Sequence, residues 1–443
     1  MSQRMVLGCL LLLFAPQAFA DVPNIVFIIA DDLGWADVGF HGGNAPTPHL
    51  DKLAADNLEL TQHYVAPVCS PTRAGLLTGR YWSRFGITTP TNERALPWDT
   101  VTLPKALKRR GYETCLTGKW HLGSKPQWGP NHYGFDHSYG SLAGGVTAWS
   151  HRYKKGPFSN TWHRNEKLLE EDRHVTDLLT REAVEWIEQR GDGPFFLYVP
   201  FTAVHLPINE PQNWLNKVPD SISSEIARQY AACVMHLDDS VGRIVDALGR
   251  KGVREKTLLV FTSDNGGSTA TNNTQPYPPD DSPAGRLTSS NGDLRGNKGS
   301  VYEGGTRVPT IVSWPGKIPA RKESTAVCIV DWMPTFWGLA GIEPTEDLYW
   351  DGVDLSPMLL NETPIAERSI YIAGPRWRRM SFRAGPWKLV TDGADAHELF
   401  HLETDPFERD NRAASEPQRL EKMLGRLATE RERDNQAVVE ASK

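Results

Sequence analysis

Two pairs of polar residues follow strand-like apolar runs and could together hold a metal ion. Asp31-Asp32 follows the run 24–30, and Asp264-Asn265 follows the run 257–262. Their carboxylate and amide oxygens are the donors that hard dications such as Ca²⁺ and Mg²⁺ prefer, without any Cys or His ligand. For either pair alone, turn formation and helix capping by Asp and Asn are the commoner explanation. The presence of both pairs at strand ends favours a metal site.

A second chemical feature is the segment Cys69-Ser-Pro71-Thr-Arg73. Proline suits the first turn of a helix, so Pro71 places Cys69 at a helix N-terminus. The helix dipole would there favour a thiolate and help to bind an anion. Taken alone, Cys69 could equally be a structural cysteine.

Basic residues also follow apolar runs. Lys119 and His121 follow the run 112–117, and His205 follows the run 195–201. A further apolar run, 308–313, is followed by Trp-Pro-Gly. Helical patterns separate the runs, at 48–56, 103–110, 176–189 and 223–249. This alternation predicts an α/β fold with a large, mixed but mostly parallel sheet sandwiched by helices, and ligands of such sheets bind at the carboxyl ends of the strands. Solvated charges and hydrogen-bonded structural histidines are the alternative for these residues.

The chain changes character from about residue 349. Short strand-like segments at 369–372, 380–383 and 387–390 are followed by the segment 398–402 and by a helical pattern at 416–433. They predict a small antiparallel sheet with a closing helix, so we divide the chain into residues 21–345 and 346–443. The stretch 272–291 is rich in Pro, Asn, Ser and Asp and predicts a surface loop.

Composition excludes several classes of protein. In 443 residues, apolar residues make up 39% before 38 glycines are counted, which excludes a disordered chain, a collagen-like repeat and a multi-span membrane protein. The net charge of −6 provides no global basic field, so we expect no nucleic-acid partner.

The N-terminus predicts export. A basic start, an apolar run at 6–14 and Ala18-Phe-Ala20 describe a signal peptide, residues 1–20, cleaved after Ala20. The mature protein would be periplasmic or secreted, and without stable membrane insertion because no other apolar stretch approaches about 18 residues. Of the four cysteines that remain, Cys115 and Cys328 lie in strand-like runs and are expected to be buried, inert thiols. Four cysteines in a chain of this length do not indicate a disulfide scaffold.

The cysteine segment resembles a family signature. Cys69-x-Pro71-x-Arg73, followed by Leu-Thr-Gly-Arg80, resembles the type I sulfatases of the alkaline-phosphatase superfamily, with Thr72 where Ser is commoner. The resemblance spans nearly the whole mature chain. It implies that residues 21–345 are the catalytic sulfatase domain. Further segments that carry it are Asp31-Asp32, 118–123, His205, Asp264-Asn265-Gly266, Lys298 and 303–305.

The resemblance implies a modified residue and a metal. Cys69 would be oxidised to Cα-formylglycine by a formylglycine-generating or equivalent maturation enzyme, and the hydrated aldehyde would attack sulfur. It implies Ca²⁺, with Mg²⁺ as the second choice, held by the residue at 69 together with Asp31, Asp32, Asp264 and Asn265.

The resemblance also implies roles for the basic residues. Arg73 and Lys119 would neutralise the diol and the sulfate oxygens. His121 would take the diol proton, and His205, assisted by Lys298, would act as general acid toward the leaving oxygen.

The expected substrate is a sulfated carbohydrate, such as a glycosaminoglycan or another sulfated polysaccharide fragment. Segments 118–123 and 126–136 resemble the N-acetylgalactosamine 6- and 4-sulfatases. Trp149, His151, Arg152 and His163 are possible sugar contacts, although a solvated or structural patch explains them as well. Two alternatives stay open: a phosphonate or phosphodiester hydrolase of the same superfamily, and a carbohydrate-binding relative whose cysteine is never converted.

Overall fold

The computed structural model describes residues 22–273, 276–343 and 348–436. The predicted signal peptide and its cleavage after Ala20 therefore lie outside the described residues. Within the described part of the chain, no helix is long and apolar enough to cross a membrane. Its four cysteines are all buried and free, with Cys115 and Cys328 on strands as predicted.

Strands and helices alternate along most of the chain. The strands are β1 (Asn24–Ala30), β2 (Leu58–Leu60), β3 (His63–Tyr64), β4 (Glu113–Lys119), β5 (His137–Ser141), β6 (Trp162–Arg164), β7 (Lys167–Leu168), β8 (Phe195–Pro200), β9 (Thr257–Ser263), β10 (Thr271–Asn272), β11 (Gly285–Arg286), β12 (Arg307–Val308), β13 (Ile311–Ser313), β14 (Arg321–Glu323), β15 (Val327–Cys328), β16 (Ser369–Ala373), β17 (Met380–Ala384), β18 (Trp387–Thr391) and β19 (His397–His401). The helices are α1 (Pro48–Asp56), α2 (Cys69–Thr78), α3 (Leu103–Lys108), α4 (Val175–Gln189), α5 (Gln212–Leu215), α6 (Glu225–Arg250), α7 (Glu303–Thr306), α8 (Trp332–Leu339), α9 (Ser356–Asn361) and α10 (Pro417–Arg431).

The main sheet confirms the predicted α/β class. Its strand order is β14-β2-β13-β9-β1-β8-β4-β5-β6-β7, and the five central strands from β9 to β5 are parallel. Alternate residues of β1 enter two separate hydrophobic cores, Phe27 on one face and Ile28 on the other. Because both faces of β1 are covered, the strand reads as a continuous apolar run rather than an alternating one.

The predicted strand 308–313 is wrong as a single element. The chain breaks at Pro309, so that β12 pairs with β3 and β13 pairs antiparallel with β9. Proline has no N–H for a sheet ladder, which accounts for the break. Because β13 is antiparallel to β9, its C-terminal end and the turn 314–316 lie beside the start of β9. The turn is therefore at the other end of the strands from the polar residues that follow β1 and β9.

The C-terminal segment forms the predicted small sheet. Strands β16 to β19 make an antiparallel sheet in sequence order, and α10 packs on β17 and β18. Apolar residues of this sheet share a core with the α2 side of the main sheet, and Trp82 Nε1 donates to the carbonyl of Ala373 at 2.9 Å. The division at 345/346 stays a prediction.

Candidate active site

The two acidic pairs meet because β1 and β9 are adjacent and parallel. Ala30 lies opposite Ser263 in the sheet, so Asp31-Asp32 and Asp264-Asn265 leave the sheet side by side. The backbone N–H of Asp32 donates to Asp264 Oδ1 at 3.2 Å, and Asn265 Nδ2 donates to Asp32 Oδ1 at 2.8 Å. All four side chains are buried. This arrangement agrees with the prediction from sequence that the four residues lie close together.

Cys69 is the first residue of α2 and lies beside these carboxylates. The ligand atoms of Asp31, Cys69 and Asp264 all lie within 4.8 Å of one another. Thr72, one turn into the helix, donates from Oγ1 to the carbonyl of Asp264 at 2.6 Å, which ties α2 to the end of β9. The expected thiolate is not favoured: burial raises the pKa of the Cys69 thiol despite the nearby Lys119 and Lys298.

Three cations face the three carboxylates. Arg73 Nη2 lies 2.8 Å from Asp264 Oδ2, and Lys119 Nζ lies 2.6 Å from Asp31 Oδ2. Lys298 Nζ lies 2.7 Å from each carboxylate oxygen of Asp32. A buried charge is costly unless it is paired, so this matching makes so polar a cluster tolerable at the centre of the fold.

The carboxylates respond differently to this environment. Burial together with the adjacent Asp31 raises the pKa of Asp264 to about 6. Asp32 is also desolvated, but Lys298, His205 and Lys119 bring its pKa well below the ordinary value. At Asp264, burial and the neighbouring Asp31 therefore outweigh the pairing with Arg73.

Two oxygens in the cluster lack partners and would suit a metal ion. Asp31 Oδ1 and Asn265 Oδ1 are buried and form no hydrogen bond within the described residues. Unsatisfied buried acceptors cost free energy, and both belong to the hard oxygen class that Ca²⁺ and Mg²⁺ take as ligands. The donors predicted from sequence therefore fit a hard dication.

His121 and His205 flank Cys69 from two other strands. His121 follows β4 with a φ of +57°, and its Nδ1 lies 3.2 Å from Cys69 Sγ. His205 follows β8, and its Nε2 lies 3.7 Å from Asp32 Oδ2. Burial and nearby lysines lower the pKa of His205 to about 3 and that of His121 well below its ordinary value, so both rings are neutral at pH 7 in the absence of substrate.

A cavity of about 260 Å³ opens above Cys69. Of the predicted site residues, Asp32, Cys69, His121, His205 and Lys298 line it. The other predicted residues, Asp31, Arg73, Lys119, Asp264 and Asn265, are fully buried and are not among its lining residues.

Sequence reasoning missed the walls of the cavity. They include Pro90, Gly144, Gly145, Tyr153, Lys154 and Tyr277. An ideal Cβ on Gly145 would lie 2.3 Å from His205 Nδ1, so only glycine lets the chain pass so close to that ring. The adjacent glycines 144–145 were the one feature of the sequence that indicated a close approach of the backbone to the site.

Other expectations about this region are corrected. Tyr277 is 8% exposed, so the stretch 272–291 is not simply a surface loop. His151 and His163 are buried and contact backbone carbonyls of Arg173 and Gly140, which leaves them structural rather than sugar contacts.

Comparisons with known proteins decide the family. The sulfatase family model matches residues 23–342. This chain belongs to the sulfatase family. N-acetylgalactosamine-6-sulfatase of Mus musculus is 34% identical over 81% of this chain and 70% of its own length. Arylsulfatase J of Mus musculus is 32% identical over 94% of this chain and 76% of its own.

A solved structure agrees with this chain over most of the fold. The crystal structure of Ps i-CgsB in complex with k-i-k-neocarrahexaose has a TM-score of 0.84 and 32% identity, over 95% of each chain. The sulfatase described here is accordingly a sulfuric ester hydrolase with the alkaline-phosphatase-like α/β fold predicted from its sequence.

Proposed function

We propose that this sulfatase hydrolyses sulfate monoesters of a sulfated carbohydrate. The observation that carries the proposal is the position of Cys69, at the base of a small cavity and surrounded by paired cations and two neutral histidines. The relatives and the solved neighbour support the substrate class, since their names mention N-acetylgalactosamine and a neocarrahexaose.

The proposal includes a modified residue at position 69. A Cα-formylglycine made from Cys69 by a maturation enzyme would supply, as its hydrate, one hydroxyl for attack at sulfur and a second for sulfate release. His121 Nδ1, at 3.2 Å from the present Sγ, is placed to take a proton from a hydroxyl at that position. Because burial holds His121 neutral, its ring is available as a base.

The proposal also includes a Ca²⁺ ion held by Asp31, Asp32, Asp264, Asn265 and the residue at 69. The two partnerless oxygens of Asp31 and Asn265 support it. When bound, the ion would polarise sulfate oxygens and lower the pKa of the hydroxyl at position 69.

The remaining residues are assigned to binding and to the leaving group. Lys298 lines the cavity and would contact the sulfate, whereas Arg73 and Lys119 would act from below as fixed positive charges. His205, which also lines the cavity, would hold the leaving oxygen. Its neutral ring must first gain a proton from solvent to serve as general acid. Pairing with Asp32 raises the pKa of Lys298, so this ammonium would assist as a hydrogen-bond donor and a positive charge, not as the source of that proton.

The test is release of inorganic sulfate from defined sulfated mono- and oligosaccharides, compared with an aryl sulfate, an aryl phosphodiester and a phosphonate monoester. The proposal expects turnover of the sulfate esters, lost in Cys69→Ala while the thermal midpoint is retained. Preference for the phosphodiester or phosphonate would instead support the superfamily alternative. Binding of sulfated sugars without turnover of any ester would support the non-catalytic one.

A further inference from the structure

Lys154 is the second lysine of the cavity and differs from Lys298 in its pairing. Lys298 is neutralised by Asp32 at 2.7 Å. Lys154 lines the same cavity, yet within residues 22–273, 276–343 and 348–436 no carboxylate forms an ion pair with it. Burial and the neighbouring positive charges of Lys298 and Lys119 lower the pKa of Lys154. The cavity therefore carries a positive charge that its own acids leave uncompensated.

Two tyrosines hold this lysine in place. Its Nζ lies 5.7 Å from the ring centroid of Tyr153 and 5.9 Å from that of Tyr277, within cation–π range. The two rings meet edge to face at 6.0 Å. The backbone N–H of Lys155 donates to the carbonyl of Pro276 at 2.7 Å, which joins the two segments that carry the rings.

Tyr277 adds an independent sign of a missing ligand. Its hydroxyl is buried at the cavity wall and has no hydrogen-bond partner in the described part of the chain. A buried hydroxyl without a partner costs free energy that a hydroxyl or anionic oxygen of a ligand would recover.

We infer that Lys154, with Tyr153 and Tyr277, forms a second anion-binding position beside the scissile sulfate, and that the substrate is a sulfated sugar bearing a second sulfate or a carboxylate. The inference rests on the proposed function. Lys298 and the cations below Cys69 would hold the scissile sulfate, so the uncompensated ammonium of Lys154 faces a different group. Aromatic walls suit a sugar ring that carries both anions.

The experiment compares three substrates of one sugar: monosulfated, disulfated, and monosulfated but linked to a uronic acid. The variants are Lys154→Ala, Lys154→Arg and the matched control Lys155→Ala, which removes an exposed lysine outside the cavity. Wild type should prefer the dianionic substrates. Lys154→Ala should reduce that preference in kcat/KM by about 10- to 100-fold, mainly through KM, as expected for loss of one charge-assisted hydrogen bond. Lys154→Arg and Lys155→Ala should retain it.

Binding to a Cys69→Ala background, measured by calorimetry, gives a readout independent of turnover. Comparison of the disulfated substrate with the substrate linked to a uronic acid shows whether a sulfate or a carboxylate is preferred as the second anion. Equal losses on all three substrates would place Lys154 on the scissile sulfate and overturn the inference, as would an unchanged preference in Lys154→Ala. If wild type releases sulfate neither from any of the sugars nor from the aryl sulfate, the proposed function itself is wrong. The inference, which rests on it, is then wrong as well.

Discussion

The close approach of Gly145 to His205 makes a one-methyl substitution a sharp test of the site. A Cβ at position 145 would lie 2.3 Å from His205 Nδ1 and 2.8 Å from the carbonyl oxygen of Leu206. Comfortable contacts lie at about 3.5 Å, so Gly145→Ala should displace the imidazole by roughly 1 Å. The ring contacts the Leu206 carbonyl through the same Nδ1, and that contact would be broken or bent.

The size of the effect follows from the role proposed for His205. General acid catalysis contributes about 10²–10⁴-fold, and a misplacement of about 1 Å costs about 10²-fold. We expect kcat on a sugar sulfate to fall about 100-fold in Gly145→Ala, or about 2.7 kcal/mol of barrier. A nitrophenyl sulfate should lose much less, because nitrophenolate leaves without protonation.

The assay measures kcat for both substrates in Gly145→Ala, His205→Ala and the double variant. The double variant should be no worse than His205→Ala, because both changes remove the same contribution. Gly193→Ala is the control, since its added Cβ meets open space. Wild-type turnover of the sugar sulfate by Gly145→Ala, or equal losses on both substrates, would refute the positioning and the acid role.

Further results are expected for the metal site, for Cys69 and for His236. Asp31→Asn should remove most activity, and a strong Ca²⁺ chelator should lower the thermal midpoint of wild type, because a ligand at a hundredfold excess over Kd stabilises the native state by about 2.7 kcal/mol. Cys69→Ser should be nearly inactive where serine is not converted, because a single hydroxyl cannot replace a diol. His236, buried between Glu210 at 2.8 Å and Asp177 at 3.3 Å, has a pKa raised to about 9, against burial, by these carboxylates. The charged imidazole should therefore stabilise the folded protein by roughly 3 kcal/mol. This contribution should be complete below pH 6.5 and lost as the pH rises through about 9.

Each of these has a contrary outcome. Full activity and an unchanged midpoint in metal-free protein would exclude the metal site. Near wild-type turnover by Cys69→Ser would exclude the diol. For His236, the free energies of unfolding of wild type and His236→Gln should converge between pH 6.5 and 9, and a constant difference would show that the imidazolium is not the stabilising form.

The convergence of the acidic pairs could be predicted because it follows from local pattern and one topological rule. Asp31 and Asp264 follow uninterrupted apolar runs, and parallel strands bring their carboxyl ends to one edge. The position of Cys69 at a helix start followed from Pro71 in the same way.

The cavity walls could not be predicted, because they join segments without regular periodicity. Lys154 and Tyr277 are more than a hundred residues apart and meet through irregular backbone. Neither lies at the end of a strand, so the rule that located the acids does not apply to them. The thiol of Cys69 was expected to ionise because its helix dipole is visible in the sequence, whereas the burial that opposes it depends on the folded core.

The most direct test of the central claim is the intact mass of the peptide that contains residue 69, measured together with sulfate release from a sulfated sugar. Conversion of the thiol to the aldehyde lowers the mass by about 18 Da. We expect active preparations to carry this lighter peptide and the specific activity to rise in proportion to its fraction. Full activity in a preparation whose Cys69 is entirely an unmodified thiol would contradict it.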